Sequence, residues 1–273
     1  MTPDVPSAIA RQYDLFQTSL DALQKERQYL NYGFTRSRRE SYEARQQQLC
    51  LEVFAAADIQ PHHVLVDVGF GSGEQDLLLA RTHHFASLTG FNIAERQVAS
   101  ASARAAAAGL ADRLRFRHGA AEVLPGLDPA SVDRIMAIEC AFYFDRPRFY
   151  ARAAEVLRPG GRLVLADIMF ADRAAWLTRG RPDLQRVGTL SANRTEWEQH
   201  FETRTIRPIN RWTRPGAQMT VRKILTTVPF ARMRTAERRE WLKMAFWSQL
   251  VAIGLLTRVL RYDLIVLQRP FTT

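Results

Sequence analysis

The chain has 273 residues, of which 47% are hydrophobic, and this is enough apolar material to bury the core of one large domain or two small ones. Two cysteines, Cys50 and Cys140, are too few for a disulfide scaffold and favour a cytoplasmic location. No secretory signal is recognised at the N-terminus, and the longest apolar run, at 244–256, is shorter than the ~20 residues that span a membrane.

The net charge of +10 is concentrated in the last part of the chain. Residues 171–273 contain 19 of the 38 Lys and Arg residues but only 8 of the 28 acidic ones, so they carry +11 and residues 1–170 carry −1. All five tryptophans also lie in this last part. Nearly all the basic residues are Arg, which suits bidentate contacts to carboxylate or phosphate. Ordinary solvated basic faces remain the alternative interpretation.

Residues 7–57 are predicted to be mostly helical, because Ile9, Tyr13 and Phe16 recur at helix spacing. A loop is predicted where this pattern is interrupted by "LNYGFTRSRRE", which contains a glycine and an Arg cluster. We expect residues 1–57 to form an N-terminal helical cap.

From residue 58 the pattern alternates between short β-branched runs and helical stretches. Strands are predicted at "HVLVDVG", "SLTGF", "RLRFRHG", "VDRIMAIE" and "GRLVLADIMF". Helices are predicted between them at 75–81, 94–108 and 148–157. Such alternation is typical of a parallel sheet with helices on both faces, and we expect residues 58–170 to form this core.

The alternation loosens after residue 170. A helix and then a strand are predicted in "TEWEQHFETRTIRPINRW", residues 213–260 are mainly helical, and a last strand is predicted in "RYDLIVLQRP". Because this last strand would return to the sheet, residues 171–273 are predicted to be a substrate cover within a single domain of residues 1–273.

A glycine-rich turn follows the first predicted strand in "VDVGFGSG", which contains Asp67, Gly69, Gly71 and Gly73. Such a turn lets the backbone approach a ligand closely and presents N–H groups at a helix N-terminus. Dinucleotide sites use G-x-G-x-x-G, whereas the spacing here is G-x-G-x-G. A nicotinamide-dependent oxidoreductase is therefore disfavoured.

An ordered set of motifs resembles the class I S-adenosylmethionine-dependent methyltransferases, in the subgroup that acts on small molecules. The matching segments are "LNYGF", "VDVGFGSG", "GFNIAERQ", "HGAAEVLPGLDPASVDRIMAIE" and "VLRPGGRLVLADI". The resemblance covers residues 29–170. It implies an α/β Rossmann-like methyltransferase fold, with a mostly parallel seven-stranded sheet, helices on both faces and a helical substrate cover.

The resemblance also implies S-adenosylmethionine as the cofactor and assigns residues to its binding. These residues are Tyr32, Asp67, Gly69, Phe70, Gly71, Gly73, Asn92, Ile93, Gln97, Ala120, Ala121 and Glu139. The amides of Asn92 and Gln97 are expected to share the ribose hydroxyls without a buried charge.

The adenine loop departs from the family pattern. It usually reads Gly-Asp-Ala, and here Ala120 replaces the Asp that accepts from the adenine amino group. The backbone N–H of Ala121 and the carboxylate of Glu122 are left as alternatives. Loss of one hydrogen bond is expected to cost about 0.5–1.5 kcal/mol, which weakens cofactor binding without abolishing it.

Candidate catalytic residues follow the fourth strand in "IECAFYFDRPRFY". Relatives read Glu-x-x-Phe-His-x-Asp there, with the His as base, and the matching residues are Glu139, Phe142, Tyr143 and Asp145. Tyrosine has a pKa near 10 and is a poor base, so Tyr143 is expected to orient the acceptor and Glu139 to contact the substrate or the sulfonium. Packing for Tyr143 and a structural hydrogen bond for Glu139 are the alternatives. The histidines lack metal-ligand spacing, and no metal is predicted.

The predicted function is methyl transfer to an oxygen, or a carbon, of a bulky, partly apolar metabolite, either lipophilic or with an anionic group met by an Arg. For the apolar helix around Trp241 and Trp247, three roles are open: core or homodimer contact, cover over the acceptor, and membrane-surface contact. The basic C-terminal part also raises nucleic-acid methylation, which the absence of Asn-Pro-Pro-Tyr and Asp-Pro-Pro-Tyr disfavours. Ala120 and Tyr143 leave an inactive binding protein of the same fold as a further alternative.

Overall fold

The computed structural model describes residues 5–22 and 29–271. Its strands are β1 Val64–Val68, β2 Ser87–Asn92, β3 Leu114–His118, β4 Val132–Ile138, β5 Leu157–Phe170, β6 Glu202–Pro208 and β7 Leu260–Gln268. Its α-helices are α1 Val5–Ala22, α2 Tyr42–Ala57, α3 Glu74–Thr82, α4 Glu95–Ala107, α5 Arg146–Val156, α6 Pro182–Val187, α7 Leu190–Trp197, α8 Asn210–Thr227 and α9 Thr235–Leu256. Parts of the predicted cap, residues 1–4 and 23–28, lie outside the described residues.

All seven strands form one sheet in the order β3-β2-β1-β4-β5-β7-β6. The first five strands are parallel, and β7 runs antiparallel to both β5 and β6. The Rossmann-like fold and its seven strands are as predicted, but the sheet is mixed. The reason lies in the connection: α8 and α9 return the chain to the end of the sheet where β6 stopped, and Ile209 N–H there donates to the carbonyl of Tyr262 at 2.7 Å.

Helices cover both faces of the sheet. One buried cluster packs α2, α3 and the end of α9 against the strands, and another packs α5 and α7 against the opposite face. A third, smaller cluster joins α1, α8 and α9 through Phe16, Ile224, Val228, Trp241 and Ala245. Burial thus covers the apolar faces of these helices, except on one side of α9, where large apolar side chains stay exposed.

Local sequence explains where the helices begin. At α5 the side chain of Asp145 accepts from Arg148 N–H, and a proline occupies the first turn, where its missing N–H costs nothing. The helix therefore begins at Arg146, two residues before the predicted start. The long predicted helical region is broken at 228–234, between α8 and α9.

The order of the sheet places a crevice at the carboxyl ends of β1, β2 and β4, because β1 lies between β2 and β4. In open α/β sheets, ligands bind where the strand order reverses in this way. The glycine turn after β1 is tied to β2 by the Gly69 N–H, which donates to the carbonyl of Phe91 at 2.8 Å. The fold therefore brings three of the matched motifs to one place.

A tight contact between α8 and the segment before α2 gives a test of this packing. A Cβ added at Gly216 would lie 1.6 Å from the carbonyl oxygen of Tyr32, which is backbone and cannot rotate away. We expect Gly216→Ala to lower the free energy of unfolding by about 2–3 kcal/mol and the melting temperature by about 5–10 °C.

Gly109→Ala is the matched control, because a Cβ there meets nothing within 4 Å. That backbone has φ +69°, so its cost should be limited to the ~1–2 kcal/mol of left-handed strain. Equal losses of melting temperature for the two variants in differential scanning calorimetry would contradict the steric argument.

Candidate active site

A cavity of about 970 Å³, including its open mouth, occupies the crevice at the ends of β1, β2 and β4. Many of the predicted site residues line it together: Gly69, Phe70, Gly71, Asn92, Ile93, Gln97, Ala120, Ala121, Glu139 and Tyr143. Tyr32, Asp67 and Gly73 are not among the lining residues.

The glycine turn exposes backbone to the cavity at Gly71, which has φ +60°. The atoms nearest to a Cβ added at this position belong to the side chain of Leu30. Gly73 has a packing role. A Cβ there would lie 2.7 Å from the Cβ of Ala101, so the absence of a side chain lets α3 pack against α4. The first turn of α3 follows directly, and Glu74 and Gln75 of that turn line the cavity.

Asp67 lies beneath the glycine turn, fully buried beside α3. Its Oδ2 accepts from Gln75 Nε2 at 2.5 Å, and burial raises its pKa to about 6. Asp76 is buried next to it, and burial together with the repulsion from Asp67 raises its pKa well above the usual range. Burial and mutual repulsion therefore favour the protonated form of this pair, which lies beneath the turn.

At the end of β2, the amides of Asn92 and Gln97 bind each other. Asn92 Nδ2 donates to Gln97 Oε1 at 2.8 Å, and Asn92 Oδ1 accepts from Ala94 N–H at 3.0 Å. Within the described part of the chain, the buried Gln97 Nε2 has no hydrogen-bond partner. Because an unpaired buried donor is costly, this amide is suited to a ligand oxygen.

In the segment that was predicted to be the adenine loop, Ala120 and Ala121 line the cavity together with Glu122. One oxygen of Glu122, Oε1, accepts from the backbone N–H of Asp145 at 2.8 Å. This bond ties the loop to the start of α5, so Glu122 has only part of its carboxylate left for a ligand.

Glu139 is the first residue after β4 and lies between three parts of the chain. Its Oε1 accepts from Tyr32 N–H at 2.8 Å and from the Tyr262 hydroxyl at 2.7 Å. Burial raises the pKa of this carboxyl to about 8, although both hydrogen bonds act in the opposite direction. Its backbone has φ 53°, a left-handed conformation that is uncommon for a non-glycine residue.

Tyr143 faces the cavity from the short helix after β4. Its hydroxyl accepts from the Tyr13 hydroxyl at 3.1 Å, and the two rings meet edge to face. Burial raises the pKa of Tyr143, so it is an even poorer base than a free tyrosine. Phe142 packs on its ring, and Asp145 caps α5.

The sequence did not single out Tyr13 as a site residue, although it lines the cavity with Ile9 from α1. Helix α1 is held over this region by α4, where Asp14 Oδ1 accepts from the backbone N–H of Arg96 at 3.0 Å. The spacing of Tyr13 in α1 predicted an apolar face but not what that face covers. Tyr29, Leu30 and Asn31 were also missed.

The charge of the cavity is one-sided. Its titratable lining carboxyls are those of Glu74, Glu122 and Glu139, and no Lys, Arg or His lines it among the described residues. Glu74 is already paired with Arg81 and Arg104. A ligand with a positive charge fits this lining, because no lining side chain of like charge repels it within the described part of the chain.

Helix α9 contributes to two surfaces. The ring centroids of Trp241 and Phe16 are 4.9 Å apart in the cluster beside the cavity, so one side of α9 packs against α1. The other side exposes large apolar side chains: Leu242, Phe246, Trp247, Leu250, Ile253 and Leu256. Homodimer and membrane-surface contacts at this exposed side stay predictions; each helix in the described ranges is too short or too polar to cross a bilayer.

The comparisons with known proteins agree with this geometry. A family model described as a methyltransferase domain matches residues 66–165. The chain is 35% identical to an erythromycin 3''-O-methyltransferase of Saccharopolyspora erythraea, over 68% of the chain and 61% of that protein's length. It is 31% identical to a 27-O-demethylrifamycin SV methyltransferase of Amycolatopsis mediterranei, over 79% of the chain and 81% of that protein.

Among solved structures, a geranyl diphosphate C-methyltransferase of Streptomyces coelicolor A3(2), in complex with S-adenosyl-L-homocysteine, superposes with a TM-score of 0.70. It is 15% identical, and the match covers 98% of this chain and 99% of that one, which shows the common fold. On the sequence relationships, the chain belongs to the S-adenosylmethionine-dependent methyltransferases.

Proposed function

We propose that the protein transfers a methyl group from S-adenosylmethionine to an oxygen of a bulky, partly apolar natural product. The observation that carries this proposal is the cavity itself, where the glycine turn, the Asn92–Gln97 amide pair and Glu139 meet in one space that no cationic side chain of residues 5–22 and 29–271 lines. Both sequence relatives carry an oxygen position in their names, which favours oxygen over carbon as the acceptor.

The residues around the cavity fit the cofactor. Gly69 and Gly71 border the space for its amino-acid part, Gln97 Nε2, which has no partner among the described residues, suits a ribose hydroxyl, and Ala120 and Ala121 border the space for the adenine. Bound there, the cofactor supplies an activated methyl group on a positively charged sulfur. The protein's main task is then to align the acceptor oxygen with that group.

On the acceptor side, we assign separate roles to two residues. Tyr143 accepts from Tyr13, so its own hydroxyl proton is free to point toward an acceptor oxygen and orient it. Glu139, in its carboxylate form, is the group best suited to accept the acceptor's proton, because no His lines the cavity among the described residues.

We further propose that the cap (residues 1–57) and the cover (residues 171–273) close over the cofactor-binding core (residues 58–170). The cluster of Phe16, Trp241 and Ala245 supports this, since it joins α1 to α9 beside the cavity. An apolar roof of this kind favours a lipophilic acceptor.

The acceptor itself can be identified by labelling. Incubating the protein with S-adenosylmethionine carrying an isotopic methyl group and a bacterial metabolite extract should yield a labelled product, whose position of methylation mass spectrometry and NMR then assign. Labelling on carbon or nitrogen instead of oxygen would correct the proposal.

Gly71→Val should abolish cofactor binding. A branched side chain would have to enter the cavity from a backbone at φ +60°, a conformation that β-branched residues rarely adopt. Isothermal titration with S-adenosylhomocysteine measures the effect. Gly109→Val is the control, because that glycine has a similar φ of +69° in open space; retained binding by Gly71→Val would refute the location of the cofactor.

Ala120→Asp should tighten cofactor binding, because it restores the carboxylate that relatives use to accept from the adenine amino group. One hydrogen bond of this kind corresponds to up to about a tenfold lower Kd. Titration with S-adenosylhomocysteine at fixed pH tests this, with Ala120→Asn as the variant of similar size without a charge. A weaker Kd for Ala120→Asp would show that the adenine lies elsewhere.

Tyr143→Phe should lower kcat by about tenfold while leaving the Kd of the cofactor nearly unchanged, since one orienting hydrogen bond is lost. Tyr13→Phe removes only the bond from α1 to Tyr143 and serves as the matched variant. An unaltered turnover for Tyr143→Phe would return its ring to a packing role.

A further inference from the structure

We infer that Glu139 is a charge-sensing residue: it releases a proton to solvent when S-adenosylmethionine enters the cavity and keeps that proton when S-adenosylhomocysteine enters. The cofactor and its product differ by the methyl group and by the positive charge on sulfur. Glu139 would thereby favour the charged form over the product in a pH-dependent way. This inference rests on the proposed position of the cofactor.

The geometry leaves one carboxyl oxygen of Glu139 for this task. Oε1 is held by Tyr32 N–H and by the Tyr262 hydroxyl, and the residue lines the cavity. No Lys, Arg or His pairs with Glu139 among the residues described. The carboxyl is therefore fixed in place at the cavity wall without a partner of opposite charge.

The titratable groups that act on Glu139 from the surrounding elements are all acidic or neutral: Tyr32, Tyr42, Cys50, Tyr143, Asp167 and Tyr262. Asp167 on β5 is itself paired with the buried Arg146 at 2.9 Å. Since none of the groups around Glu139 stabilises a negative charge by its own positive charge, a bound cation would be the principal one to do so.

The raised pKa of Glu139 in the free protein and the lowering of that pKa by a nearby positive charge together favour proton release. Burial raises the pKa of Glu139 to about 8, so at pH 7 most of the free protein carries the proton on this carboxyl. A unit positive charge within ~4–6 Å lowers the pKa of a carboxyl by ~1–3. With such a charge bound in the cavity, the carboxyl O–H bond would break, the proton would leave to the buffer, and Glu139 would remain as a carboxylate.

Release of this proton also prepares the acceptor side. Methylation of a hydroxyl frees one proton, and the carboxylate made by cofactor binding is available to take it. Once the methyl group has left, the sulfur is neutral and the protonated form of Glu139 is again favoured. Each turnover thus returns Glu139 to the state in which it began.

Isothermal titration at pH 7 in two buffers of different ionisation enthalpy counts the protons exchanged on binding. The probes are S-adenosylmethionine, S-adenosylhomocysteine and sinefungin, an unreactive analogue with an amine in place of the methylsulfonium. We expect roughly half a proton or more to be released with the two charged probes and close to none with S-adenosylhomocysteine.

The Glu139→Gln variant is the matched control, because an amide oxygen still accepts from Tyr32 and Tyr262 but cannot titrate. The ligands' own amino groups titrate equally in both proteins, so the release that Glu139 contributes is the excess in the wild type over Glu139→Gln for each probe. Tyr262→Phe removes a donor that favours the carboxylate, so its proton release should persist to higher pH.

Affinity provides a second readout. From pH 6 to pH 9, the preference of the wild-type protein for S-adenosylmethionine over S-adenosylhomocysteine should increase by about tenfold or more, and it should stay constant in Glu139→Gln. Equal proton release with both ligands, or the same release in both proteins, would overturn the inference. If neither ligand binds at millimolar concentration, the proposed function fails instead.

Discussion

The contact of Glu139 with Tyr32 and Tyr262 is the interaction on which the site depends. A single carboxyl oxygen joins a residue of the N-terminal cap, the end of β4 and the last strand of the chain. Tyr32 is also held from the other side, since its hydroxyl shares a hydrogen bond with Ser248 of α9. Segments more than 100 residues apart along the chain therefore meet at one partly buried acid, and removal of that acid would leave two donors without their partner.

This convergence explains why the backbone of Glu139 tolerates a left-handed conformation. An uncommon backbone conformation costs of order 1–3 kcal/mol and persists where the surroundings fix it, and here the Glu139 N–H donates to the carbonyl of Ala166 while the side chain makes two further bonds. The antiparallel β7 is essential to the arrangement, because it brings Tyr262 beside β5. The mixed sheet is thus a requirement of the site as well as a consequence of the α8–α9 connection.

Much of this fold could be predicted from local patterns, and the exceptions have a common cause. The alternation of strands and helices and the glycine turn depend on neighbours in sequence, so the core elements were placed to within a few residues. Asp67 and Tyr32 were assigned to cofactor binding by their motifs, but whether a side chain enters a cavity or lies beneath it depends on packing. The role of Tyr13 in lining the cavity depends on where α1 docks. The exposed side of α9 could not be predicted either, since a helix that is apolar all round does not indicate which side is buried.

The tyrosine at position 143 gains its significance from the acid four residues before it. A histidine there could take a proton at neutral pH, whereas burial makes Tyr143 less able to do so and leaves Glu139 as the titratable lining group with a pKa near neutrality. An acid with a pKa of about 8 is a weak donor of its proton until a cation approaches. In the proposed function, the positive charge that activates the methyl group would also generate the carboxylate that receives the acceptor's proton, so the loss of histidine need not mean the loss of activity.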